Sequence, residues 1–118
     1  MPLIYHVTTR QEWEEAQATG EHRVSTRGRT LEEEGFIHCS QPSQVAPIAN
    51  RFYKGMNDLV LLTIDEQLVK PEVRYEAVPG WDEPFAHIYG PLNTNAVVSV
   101  TAFEPGEGGE FRFEGKSK

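Results

Sequence analysis

The sequence predicts an α+β domain with two short helices and a mostly antiparallel β core. Three observations carry this. The helix-like segments fall early and the strand-like segments crowd the later part, an order that argues against a doubly wound parallel fold. No glycine-rich loop of the Walker or Rossmann type marks a strand-to-helix phosphate site. The 118 residues are 38% hydrophobic and 25% charged, ordinary for one globular unit with a real core.

The elements follow in order. Leu3–Thr8 alternates as a strand, with Leu3, Tyr5 and Val7 on one face and Ile4, His6 and Thr8 on the other. Thr9 and Glu12 have the spacing of a capping box, so a helix starts there, and Gly20 is placed to end it. Glu21–Glu34 is polar and aperiodic, carries His22, Arg23, Arg27 and Arg29, and reads as a long surface loop, either a binding loop or lid or a merely mobile connection. Gly35–Ser40 is a second short strand with Phe36, His38 and Ser40 on one face, Ile37 and Cys39 on the other. Val45, Ile48, Ala49, Phe52 and Tyr53 then recur at helical spacing. Ser43 is the expected cap, Gly55 the expected stop, and Phe52 and Tyr53 are expected in the core.

Leu59–Ile64 is almost wholly apolar, as in a strand covered on both faces. Val73–Ala77 alternates, setting Val73 and Tyr75 against Arg74 and Glu76. Ala86–Tyr89 is extended and stops at Gly90-Pro91, and Ala96–Phe103 is a β-branched last strand. The expected organisation is one domain over residues 1–104 and a flexible C-terminal tail over 105–118, in which Phe111 and Phe113 have the pattern of an edge strand.

A net charge of -7 argues against an extended nucleic-acid surface, which needs clustered Lys and Arg. The single cysteine, Cys39, precludes an intramolecular disulfide. No segment is long and apolar enough to suggest a membrane span, and Met1–His6 lacks the basic and apolar regions of a signal peptide. A cytoplasmic protein is the expectation.

Chemistry concentrates in three segments, Ile4–Thr9, Gly35–Ser40 and His87–Leu92. His6 shares a face with Thr8, His38 with Ser40 and His87 with Tyr89, giving imidazoles and hydroxyls suited to a small polar pocket. Glu76 is the carboxylate placed on a late strand, where it can act as acid or base or hold a ribose. The catalytic candidates are therefore His6, His38, Glu76 and His87, and the ligand-binding candidates His6, Thr8, Ser40 and Tyr89. A single histidine on a half-buried strand is more often structural, so the set has meaning only if the segments meet. His6, His38 and His87 also make a nominal zinc set, but no His-x-x-x-His pair supports it, and no metal is expected.

Ile4-Tyr5-His6-Val7-Thr8-Thr9, Gly35-Phe36-Ile37-His38-Cys39-Ser40, Ala49-Asn50-Arg51-Phe52-Tyr53, Asp58–Leu62, Val73-Arg74-Tyr75-Glu76 and His87–Leu92 together resemble the bacterial family called domain of unknown function 952. The resemblance spans about Leu3 to Val100. It implies an ADP-ribosyltransferase-like fold, a split antiparallel core with a cleft between two small sheets. It further implies that His6 and Thr8 contact the ribose of NAD, and that His38 and Ser40 stand at the matching second-strand positions. The catalytic glutamate of that superfamily would fall on Glu76, or its role on the His87 segment. NAD is the candidate cofactor and a small nucleotide the candidate partner. Enzyme action on NAD or an ADP-ribosylated or 2'-phosphorylated nucleotide, a non-catalytic nucleotide-binding module, and a histidine-coordinated metal-dependent hydrolase are the functional alternatives.

Overall fold

The computed structural model describes residues 3–26 and 29–113. The long apolar run becomes β6 (Leu59–Asp65), which lies between β1 (Leu3–Thr9) and β10 (Val97–Phe103) in an antiparallel sheet. Its side chains divide between two cores. Val60, Leu62 and Ile64 pack with Ile4, Trp13, Ile37 and Ile88 on one side. Leu59 and Leu61 pack with Tyr5, Val7, Val45 and Phe103 on the other. A strand buried on both faces has no use for alternation, hence the continuous run.

A second antiparallel sheet has β8 (Phe85–Tyr89) between β5 (Ile37–Cys39) and β7 (Glu72–Glu76). The two sheets meet at one backbone bridge. Tyr5 N–H donates to the Ser40 carbonyl at 2.9 Å, and Ser40 N–H returns a bond to the Tyr5 carbonyl at 2.7 Å. The structure is thus α+β and mostly antiparallel, with no helix among the described residues long and apolar enough to cross a membrane.

The helix α1 (Arg10–Thr19) starts and stops as its sequence dictates. Thr9 and Glu12 form the capping box, and Gly20 takes the left-handed conformation at φ 88°. The helix α3 (Val45–Phe52) differs at its start. A 3-10 turn over Pro42–Gln44 precedes it, Gln41 N–H is capped by the Gln44 side chain at 2.8 Å, and Ser43 donates to Glu83 at 2.6 Å instead of capping. Pro47 sits in the first turn, where its missing N–H costs nothing.

Where it is described, the expected surface loop over Glu21–Glu34 is regular structure. It holds β2 (Glu21–His22) paired with β9 (Leu92–Asn93), β3 (Val24–Thr26) paired with β4 (Arg29–Thr30), and a one-turn helix α2 (Leu31–Glu34). Thr30 and Glu33 form a second capping box, and Gly35 ends the turn in the left-handed region. Two-residue strands leave no periodicity to read, which is why the segment looks irregular.

The segment after Phe103 is also anchored as far as it is described. Phe111 is buried and stacks on Phe103 at 5.1 Å. It is no strand. The Asn50 amide instead holds its backbone at both ends, donating to the Phe111 carbonyl at 3.0 Å and accepting from its N–H at 2.8 Å. Residues 114–118 of the expected tail lie outside the described residues. Replacing Asn50 with Ala leaves a partly buried N–H and C=O unpaired and lowers stability by about 1–3 kcal/mol, measurable by urea unfolding.

Candidate functional site

Strand register assembles the site. Across β5, β8 and β7 the residues His38, His87 and Arg74 stand in one row. The side-chain period of two then sets Phe36, His38, His87, Tyr89 and Glu76 on one face of the sheet, while Ile37, Cys39, Ala86, Ile88 and Val73 go to the core on the other. Cys39 is fully buried, and burial pushes its thiol up, away from thiolate chemistry.

His87 and Glu76 form an imidazole–carboxylate pair. His87 Nδ1 donates to Glu76 Oε1 at 2.6 Å, and the Tyr89 hydroxyl donates to the same oxygen at 2.5 Å. The Tyr89 and His87 bonds hold the Glu76 carboxyl below its usual range, and the carboxylate in turn raises the Tyr89 hydroxyl. With Nδ1–H given to Glu76, a neutral His87 ring presents the lone pair of Nε2. That atom is buried and has no hydrogen-bond partner among the described residues. Phe36 stacks on the ring at 3.9 Å and fixes its plane.

His38 lies beside it, ring centroids 5.3 Å apart, and its Nε2 is likewise buried and unpartnered among the described residues. Burial, then the neighbouring His87 and His6, bring the His38 imidazole down to about 4, so it is neutral at physiological pH. Both rings line a cleft of about 330 Å3, together with Phe36 and with Phe52 from the end of α3. Phe52 is 40% exposed, against its expected place in the core. It is the last residue of its helix, and it lines the cleft. Thr26, Arg29, Glu34 and Val78 complete the lining, with Arg29 and Glu34 paired at 2.7 Å.

His6 supports this arrangement from behind. Its Nδ1 must carry the proton, because it donates to the His38 carbonyl at 2.7 Å. Its Nε2 is then the acceptor, and His22 Nε2–H donates to it at 3.1 Å. Burial lowers the His6 imidazole, and burial plus the His6 neighbour brings His22 down to about 3. Both nitrogens of His6 are therefore engaged within the protein. Thr8 is buried and donates to Glu12 at 2.6 Å, and Ser40 is buried at the bridge between the sheets.

The three histidine-bearing segments thus come together, with His38 and His87 facing the cleft and His6 behind them. Of the cleft and its backing, sequence reasoning missed His22, Thr26 and Glu34, while Arg29 was among the arginines expected of a binding loop. A single histidine in a polar stretch is no signal of burial. Among the described residues, no three His, Cys, Asp or Glu side chains converge as metal ligands do.

A family model described as "Protein of unknown function (DUF952)" matches residues 7–100. The chain belongs to that family. Two solved structures resemble it over nearly their whole length, both of protein CC0527 from Caulobacter crescentus. The crystal structure is 29% identical, covers 93% of each chain and has a TM-score of 0.82. The solution NMR structure is 30% identical, covers 93% of this chain and 91% of that one, and has a TM-score of 0.77. No curated protein matches the chain. The span matched to the DUF952 family takes in His22, His38, Glu76, His87 and Tyr89, the residues that build the cleft and its backing.

Proposed function

We propose that the cleft binds a small nucleotide of the NAD or ADP-ribose kind and that His87 is its proton-transfer group. The observation that carries this reading is the pair of imidazole rings, His38 and His87, that line one cavity and whose buried Nε2 atoms have no hydrogen-bond partner among the described residues. Buried polar atoms are almost always satisfied, and an orphaned pair in a cleft marks the place of a ligand's donors and acceptors.

The chemistry follows from the geometry. Glu76 fixes the His87 tautomer, so Nε2 is the basic atom of a ring that lines the cleft, suited to a ribose hydroxyl or an incoming nucleophile. His38, kept neutral by burial, positions the ligand by hydrogen bonding. Phe36 and Phe52 offer aromatic surface to a base or nicotinamide ring, and Arg29 stands at the rim within reach of a phosphate. Glu76 lies behind His87, so its negative charge acts on a developing oxocarbenium through the imidazole. His6 and Thr8 act as supports of the ribose site, with direct contact passing to His38 and His87. Two small antiparallel sheets meeting at one bridge support an ADP-ribosyltransferase-like arrangement.

Titration with NAD, ADP-ribose and 2'-phosphorylated nucleotides, followed by amide NMR, tests the reading. The expected shifts centre on Phe36, His38, Phe52 and His87. His87→Ala weakens the best ligand about tenfold, the worth of one lost hydrogen bond. Nicotinamide released from NAD separates an enzyme from a binding module. No shift at these residues with millimolar nucleotide sinks both.

A further inference from the structure

The two outermost strands of the fold are finished differently. At one end, β7 reads Glu72-Val73-Arg74-Tyr75-Glu76, with a charge at every second residue. Charges along an outer strand deter pairing with another chain. At the other end, β10 reads Val97-Val98-Ser99-Val100-Thr101-Ala102-Phe103 and carries no charge. It pairs with β6 on one side, and among the described residues no strand pairs with its other side. All residues from Val98 to Ala102 are exposed, Val98 at 54% and Val100 at 40%. Val98, Ser99 and Val100, with Trp13 and Gln17 of α1, border a groove of about 400 Å3.

We propose that β10 pairs antiparallel with β10 of a second copy of this chain, joining two three-stranded sheets into one of six strands. Charge selects this partner. A chain of net charge -7 repels its own copies except where uncharged surface meets uncharged surface, and β10 with its groove is such a surface. The strand is also self-complementary. Beyond the irregularity between Val97 and Ser99 its register is regular, and a two-fold pairing about Thr101 sets Val100 against Ala102 of the second copy. Such an interface uses one patch twice and closes at two copies, while the charges on β7 stop growth at the far end.

Sedimentation of the full chain from low micromolar to millimolar concentration tests this, with hydrogen exchange read at both limits. The expected result is twice the chain mass at high concentration, with β10 amides slowed there and β7 amides unchanged. Val100→Lys, at a position exposed in a single copy, leaves the thermal midpoint at low micromolar concentration in place and weakens association by about tenfold, since it replaces the Val100–Ala102 pair twice across the two-fold and puts a charge on the pairing strand. A single-copy mass throughout, or a dimer that survives Val100→Lys with β10 amides unprotected, overturns the proposal. The exchange comparison uses the native chain, so it stands even if the variant misfolds.

Discussion

Unfolding free energy falls steeply as pH drops from 6.5 to about 4. His6, His22 and His38 all have depressed imidazoles, with burial the main cause, against an ordinary value of 6.5. In this window the unfolded chain binds protons that the folded chain refuses, so stability rises with pH and is lost on acidification. His38 stops contributing near pH 4 and His22 near pH 3. His22 and His38 each contribute about 1.4 kcal/mol per pH unit, or about 2 kcal/mol by pH 5, and His6 acts in the same direction. Together they are a large part of the stability of a small domain. Urea unfolding at pH 7, 6 and 5 measures the slope. A slope of less than one proton per molecule would mean that these rings are solvated in the folded state.

Replacing His22 with Ala lowers stability by about 3–5 kcal/mol, the largest expected effect of a single substitution outside the apolar core. His22 is 1% exposed, tilted against Trp13 with centroids 6.5 Å apart, and it supplies the hydrogen bond to His6 Nε2. Truncation leaves both a cavity and a buried acceptor without a donor. The variant also loses about one proton from the acid slope, because the depressed group is gone. Urea unfolding of the variant at pH 7 and pH 5 reads both effects. A loss below about 1 kcal/mol, typical of surface substitutions, would show that the His6–His22 contact is incidental.

Much of this site was legible in the sequence as faces. Alternation along Gly35–Ser40 separates His38 from Cys39, and alternation along Val73–Ala77 puts Glu76 opposite Tyr75. Both separations appear in the strand register. What alternation cannot express is adjacency. His38 meets His87 because β8 inserts between β5 and β7, a pairing between segments some fifty residues apart that no local pattern encodes. His22 was illegible for another reason. Its strand has two residues, too few for any period, and its burial depends on a partner strand, β9, near the far end of the chain. Phe52 misled because helical spacing identifies a helix face without saying how fully its last turn is covered.

The meeting of the sheets at Tyr5 and Ser40 has a mechanical consequence. The seam holds by two backbone hydrogen bonds, the His6 to His38 link and a shared core in which Ile4, Val60 and Leu62 of one sheet pack with Ile37 and Ile88 of the other. Spreading the sheets would bring that apolar surface into water, at a cost well above the few bonds of the bridge. The floor of the cleft is therefore a fixed wall, and a ligand entering it meets rings already set in place.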